Sequence, residues 1–283
     1  MPEGNEIYRY AQIHREKFVG KSICVETPNG RFPDAPLLTG RKLKAVLAHG
    51  KHLGYDFGRD RKLHVHLGRF GDFTEGKMPY PEVKGILRMR WSTATDWLEL
   101  RGPTDCSVYT DEQWQAVEER LGPDPLAPQA DSSEAIAYIR KAKAPIGALL
   151  MDQTVFAGIG NIYRAELLYR ARQNPFASGN TVPEKTLQAI WRDAVTLMPD
   201  GMVDRRIVTT RAKDRPHPKG RPQRDEVHYV YRRHGKPCLV CGTTVERADM
   251  AGRTLYWCPT CQLGDASASP KRIASKPGKQ PKP

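Results

Sequence analysis

The sequence predicts an α+β chain of two domains, and three observations carry that expectation. From Ser22 to about Thr110 short alternating segments are broken by Gly, Pro and Asp, which suits an antiparallel sandwich or barrel. Beyond Glu134 the apolar spacing becomes helical. Near the C-terminus two C-x2-C pairs bracket two strand-like runs, as a metal-bound hairpin requires.

Each element follows from its residues. Ile7, Tyr10, Ala11, His14 and Phe18 recur at helical spacing and stop at Gly20, so a helix follows the opening MPEGNE almost at once. SICVET, KLKAVLA, HLGYDF, KLHVHLG, ILRMRWST and DWLELRG are the expected strands, about six in number. Thr110 and Gln113 form a capping box ahead of Trp114, Val117 and Leu121, which places a helix at the end of this half. GPDPLAPQADSS, from Gly122 to Ser133, is rich in breakers and reads as a linker. EAIAYIRKA, PIGALLMDQTVF, IYRAELLYRAR and EKTLQAIWRDAVTLM then read as four helices. The expected boundaries are 1–124 for the first domain, 125–133 for the linker, 134–227 for the helical domain, 228–263 for the hairpin and 264–283 for a disordered basic tail.

Composition narrows the function. A formal charge of +13 and a pI near 9.5 point to a polyanionic partner. The excess is concentrated: residues 205–236 hold eleven Lys or Arg against three acids. Within it, the run RAKDRPHPKGRPQRD at 211–225 is expected to be either a mobile loop at the functional site or a solvated phosphate-binding loop. No stretch approaches a membrane span and no secretion signal opens the chain, so the expectation is a cytoplasmic protein. Cys24 and Cys106 stand alone in apolar surroundings and are expected to be buried free thiols.

Cys238, Cys241, Cys258 and Cys261 form two thiolate knuckles with sixteen residues between them, the pattern of one tetrahedral zinc. Four Cys ligands leave no open position, so this zinc is expected to be structural. Arg253 falls near the tip of the hairpin, where a cation contacts phosphate. In MDQTVFAGIGNIYRAE a helix, a glycine turn and Asn161 at an N-cap position offer a phosphate seat, or equally a helical hairpin whose glycines serve packing. His64 and His66 alternate on one strand, and a structural or DNA-facing role is favoured over metal ligation.

Four features in this order, PEG-x-E after Met1, GKHL at 50–53, MDQ-x3-AGIGNIYRAE at 151–166 and the four-cysteine hairpin, resemble the formamidopyrimidine-DNA glycosylase/endonuclease VIII family over roughly residues 2–262. The resemblance implies an N-terminal β-sandwich, a helix-two-turns-helix domain and a zinc-finger hairpin. It implies an enzyme that acts on damaged duplex DNA with a flipped nucleotide, as a bifunctional glycosylase and abasic-site lyase with no organic cofactor; a monomer is expected, since nothing in the sequence suggests more. Pro2 would be the amine nucleophile once Met1 is removed, Glu3 the proton carrier and Lys51 a phosphate-contacting catalytic lysine. Gly4 is expected to bend the chain so that both groups face one site. Glu6 and Glu166 match carboxylates that line or support the cleft, with an ordinary surface charge as the alternative. Asn161 and Arg253 would pinch phosphates, with Tyr163 adding a contact.

Arg69 and Phe70 in HLGRFG offer the wedge that fills the hole left by the flipped base. Arg69 departs from the apolar residue common there. LELRGPTDC lacks the arginine–phenylalanine pair of the purine-directed branch, which with the PEG opening favours the endonuclease VIII branch and oxidised pyrimidines. Oxidised purines, or a zinc-hairpin DNA-binding protein without catalysis, are the alternatives. Asn5, where that branch often has proline, is expected to affect loop stiffness.

Overall fold

The computed structural model describes residues 2–262; the expected basic tail lies outside the described residues. The N-terminal half runs α1 (Gly4–Phe18), β1 (Ser22–Glu26), α2 (Ala35–Leu38), β2 (Arg41–Lys42), β3 (Ala45–His49), β4 (His52–Asp56), β5 (Lys62–His66), β6 (Asp72–Lys77), β7 (Met89–Ser92), β8 (Asp96–Arg101), β9 (Asp105–Tyr109) and α3 (Asp111–Arg120). Two antiparallel sheets, ordered β2-β1-β7-β8-β6 and β3-β4-β5-β9, share one core. The fold is therefore a sandwich, since among the described residues no pairing closes the two sheets into a barrel.

Alternation along each strand decides which side chains meet in that core. Ile23, Trp91 and Leu98 from one sheet face Leu53, Leu63 and Val65 from the other. The apolar stripe of α1 covers the same cluster through Ile7, Tyr10, Ala11 and Phe18. Burying a side chain such as Phe18 contributes about 2 kcal/mol. His14 lies in this stripe with both ring nitrogens engaged, 2.7 Å from the Tyr55 hydroxyl and 3.1 Å from Glu75 Oε2. The expected capping box is present, with Gln113 N donating to Thr110 Oγ1 at 3.2 Å and Thr110 N to Gln113 Oε1 at 2.9 Å.

The structure adds strands that the pattern did not announce. KLKAVLA splits at Leu43 and Lys44 into β2 and β3, which belong to different sheets. β6 carries Glu75 and Gly76 and buries fully only Phe73, so its alternation is weak. β9 is recruited by β5, with Val108 opposite Leu63. Cys24 points outward from β1 and is exposed, which corrects the expectation of a buried thiol; Cys106 is buried.

The second half contains α4 (Ser133–Ile139), α5 (Ile146–Leu149), α6 (Asn161–Arg170), α7 (Glu184–Val203), β10 (Glu246–Met250), β11 (Arg253–Trp257) and α8 (Pro259–Gln262). The helix expected over 145–156 ends at Leu149 because Asp152 turns back on the chain, its carboxylate accepting from Thr154 N at 2.9 Å. The helices enclose their own core, built on Ile146, Phe156, Leu167 and Trp191. A third cluster joins Tyr169 of α6 and Tyr229 to Cys238, Val245 and Cys258. Among the described residues no helix is long and apolar enough to cross a membrane.

Candidate active site

The N-terminus reaches the second domain through backbone contact. Gly4 N donates to Gly158 O at 2.9 Å, and a Cβ on Gly4 would sit 2.9 Å from Gly158 Cα. Gly4 is the first residue of α1, following an extended Glu3, and its missing Cβ permits the close approach. Asn5 is likewise helical and buried, not part of a loop.

That approach delivers Glu3 to the start of α6. Its carboxylate accepts from Gly160 N at 3.1 Å, Ile162 N at 2.7 Å and Tyr163 N at 3.2 Å. A helix N-terminus has free N–H groups and a positive dipole end. The seat that the sequence offers to a phosphate is filled by the protein's own carboxylate. The N-cap is Gly160, one residue before Asn161, and a Cβ on Gly160 would come within 2.4 Å of Glu3 Cδ. Glu3 is 1 % exposed. Burial pushes its pKa above the ordinary carboxylate value, although Lys51 and the three amides pull the other way.

Lys51 stands on the turn between β3 and β4, and its Nζ donates to Ile159 O at 2.8 Å. Gln153 Nε2 donates to the same carbonyl at 2.9 Å and Gly158 N donates to Gln153 Oε1 at 3.0 Å, so the turn that receives Lys51 is internally fixed. Burial, opposed by Glu3 and reinforced by Arg253 and Arg164, brings the Lys51 ammonium down to about 8. A cleft of about 360 Å³ is lined by Pro2, Glu3, Glu6, Arg69, Phe70 and Arg206, while Lys51 and Arg253 stand outside its lining.

The phosphate-contact candidates divide. Arg253 is exposed beside the Ala251–Gly252 turn, whose φ angles of 52° and 67° tighten the hairpin tip. Asn161 is buried, its Nδ2 donating to Thr254 O at 2.9 Å and its Oδ1 accepting from Arg164. Its amide is committed to holding the hairpin against α6. Tyr163 is fully buried with its hydroxyl 3.5 Å from Leu197 O, so the expected phosphate contact is corrected: the ring is core.

Arg164 is a residue the sequence reading missed. It is fully buried and donates to Met250 O at 3.2 Å, and burial lowers its pKa to about 10. An arginine in an amphipathic helix carries no signal that distinguishes it from a surface charge.

The carboxylate candidates differ in kind. Glu6 lies at the lip of the cleft, paired with Arg9 Nε at 3.0 Å. Glu166 is fully buried and is no surface charge. It accepts from Tyr229 N at 2.7 Å, Val230 N at 2.9 Å, Tyr231 N at 2.8 Å and the Thr209 hydroxyl. One carboxylate therefore clasps both ends of the basic stretch whose Arg205 and Arg206 line the cleft.

The wedge candidates stand free. Phe70 is 79 % exposed at the cleft edge with the Arg69 guanidinium 5.5 Å over its ring. Tyr10 OH donates to Asp72 Oδ1 at 2.7 Å, tying this loop to α1. His64 bonds His52 Nδ1 at 2.9 Å and Asp105 Oδ2 at 2.5 Å, a structural engagement of both ring nitrogens.

Among the described residues the only group placed to hold a metal is Cys238, Cys241, Cys258 and Cys261, with all four sulfurs within 4.8 Å of one another. Separations of 3.9 Å for Cys238–Cys261 and 3.4 Å for Cys241–Cys258 fit a tetrahedron of about 2.3 Å Zn–S bonds, whose edges measure roughly 3.8 Å. The Tyr169 hydroxyl lies 3.0 Å from Cys238 Sγ, the kind of support that a zinc thiolate takes. The zinc is structural.

Comparison with known proteins agrees with this geometry. Residues 1–108 match the formamidopyrimidine-DNA glycosylase N-terminal domain, 121–212 the H2TH domain of that glycosylase, and 235–263 the zinc finger found in FPG and IleRS. Endonuclease 8 1 of Mycobacterium tuberculosis is 44% identical over 268 residues, covering 93% of this chain and 100% of that protein. Formamidopyrimidine-DNA glycosylase of Thermus thermophilus is 31% identical over 271 residues, covering 93% of this chain and 98% of that protein. The Lactococcus lactis Fpg in complex with abasic-site DNA shares the fold, with a TM-score of 0.77 at 22% identity over 92% of this chain and 99% of that one. By its 44% identity to a relative covered end to end, and by matches in all three structural units, the chain belongs to the formamidopyrimidine-DNA glycosylase/endonuclease VIII family of base-excision DNA glycosylases, on the endonuclease VIII-like side.

Proposed function

We propose that this glycosylase removes oxidised pyrimidines through an imine on Pro2 and then cleaves the strand by β,δ-elimination. The observation that carries the reading is Glu3, buried on the N-terminus of α6 directly beside Pro2 in an open cleft. Removal of Met1 leaves Pro2 a secondary amine with a reference pKa of about 8, so part of it is neutral and nucleophilic at cellular pH. Its lone pair attacks C1′ of the everted nucleotide as the N-glycosidic bond breaks, and the proton that the amine loses goes to the departing base. Glu3, its pKa raised by burial, delivers a proton to the sugar ring oxygen as the ring opens. The resulting iminium draws electrons from the C2′–H bond; the C2′ proton leaves to a base and the 3′ phosphate departs, followed by the 5′ phosphate.

Lys51 and Arg253 hold the phosphates that flank the reacting sugar, and Phe70 fills the stack with Arg69 at its face. Preference for pyrimidines is supported by the 44% identical Endonuclease 8 1 and by the short Gly102–Thr104 connection between β8 and β9, which carries no arginine–phenylalanine pair.

Borohydride trapping on duplexes with an abasic site, an oxidised pyrimidine or 8-oxoguanine, followed by peptide mapping, tests both parts. The expected adduct is on Pro2 and most abundant with the pyrimidine lesion; an excess with 8-oxoguanine would move the enzyme to oxidised purines. Pro2→Gly or an uncleaved N-terminal extension should abolish strand cleavage with duplex binding retained. Full cleavage by the blocked protein would overturn the mechanism.

A further inference from the structure

Asp124 stands where the sequence expects the first domain to pass into the linker, and it is 1 % exposed. Its carboxylate ties two distant segments to its own. Tyr8 OH of α1 donates to Oδ2 at 2.9 Å, Gly50 N donates to the same oxygen at 2.6 Å, and Leu126 N donates to Oδ1 at 2.9 Å. Gly50 immediately precedes Lys51. It has a φ of +56°, and a Cβ there would meet Ala157 Cβ and Gly158 N at 3.1 Å, so the turn that carries Lys51 is pressed onto the turn that leads into α6.

Among the described residues no cation forms an ion pair with Asp124. A buried carboxylate without a counter-charge is a costly way to close a joint, and its hydrogen bonds are its only compensation. Two of those bonds go to the helix that starts just after Glu3 and to the amide beside Lys51.

We infer that Asp124 is a positioning residue for Lys51: it fixes the β3–β4 turn against the second domain so that Nζ is held at Ile159 O, next to Glu3. The inference rests on Lys51 taking part in strand cleavage. Loss of the anchor lets the ammonium move by an amount on the order of 1 Å, and such misplacement lowers rates by up to about 100-fold without removing binding contacts.

A double-mutant cycle tests it. Single-turnover cleavage of an abasic-site duplex is measured for wild type, Asp124→Asn, Lys51→Ala and the double variant, with Kd on an uncleavable abasic analogue. Asp124→Asn is expected to lower the rate by about 10- to 100-fold with Kd changed less than about threefold, and to have no further effect once Lys51 is alanine. Loss of the same factor in the Lys51→Ala background would overturn the inference alone, as would wild-type activity of Asp124→Asn. An unimpaired Lys51→Ala would overturn the reading of Lys51 and the inference with it. Should Asp124→Asn fail to fold, Tyr8→Phe removes one of the two bonds to the same oxygen and carries the same cycle.

Discussion

Replacing Lys51 with Met keeps an unbranched side chain one atom shorter and removes its charge, which turns the environment of this residue into a stability measurement. Burial, with Arg253 and Arg164 nearby, brings the folded Lys51 from an ordinary 10.5 to about 8 against the pull of Glu3. Between those two values the unfolded chain holds a proton that the folded chain has released. Wild-type stability therefore rises with pH across this window, and the penalty is complete below about 8. At about 1.4 kcal/mol per pH unit the gap amounts to roughly 3 kcal/mol. Lys51→Met has nothing to titrate there. The stability of the variant minus that of wild type should accordingly fall by about 3 kcal/mol between pH 8 and 10.5, the other titrating groups cancelling in the difference. Urea unfolding of both proteins at intervals over that range measures it. Parallel curves with a constant separation would refute the reasoning, because they would mean that Lys51 is hydrated and titrates normally.

Gly4→Ala places a methyl group 2.9 Å from Gly158 Cα and should cost about 1–3 kcal/mol of stability, with turnover falling further because Glu3 is displaced; a wild-type melting temperature would count against the close approach. Glu166→Gln leaves one acceptor oxygen where three backbone amides and Thr209 converge, and should destabilise by about 2–4 kcal/mol. Its signature is faster proteolysis within 204–233, and an unchanged digestion rate would remove Glu166 from its role as a clasp. Zinc chelation should unfold the hairpin and weaken DNA binding together with activity, since Cys238 and Cys258 pack with Tyr169 and Tyr229 in one cluster. Unaltered affinity of the metal-free protein would separate the hairpin from DNA.

Much of this molecule is written locally. The buried stripe Ile7, Tyr10, Ala11, His14 and Phe18, the Thr110–Gln113 capping box and the Ala251–Gly252 hairpin turn each depend on residues within a few positions of one another. Periodicity and spacing report such elements directly. The four zinc ligands are legible for the same reason, as two short-range pairs whose thiolates have one common partner.

Other features depend on residues far apart in the chain. β9 is a strand because β5 offers it a partner, and Arg164 is buried because Asn161 and Met250 receive it. The motif residues mark Pro2, Glu3 and Lys51 as candidates, but tertiary packing assigns the N-terminus of α6 to Glu3 instead of a phosphate. It also withdraws Tyr163 from the DNA surface and turns the Asp124 segment from a linker into a joint. Hydrophobic patterning determines which face of an element is buried. Which partner satisfies a buried amide or carboxylate is decided only when the two domains meet, because burial makes an unpaired polar group too costly to leave and supplies the partner from a distant segment.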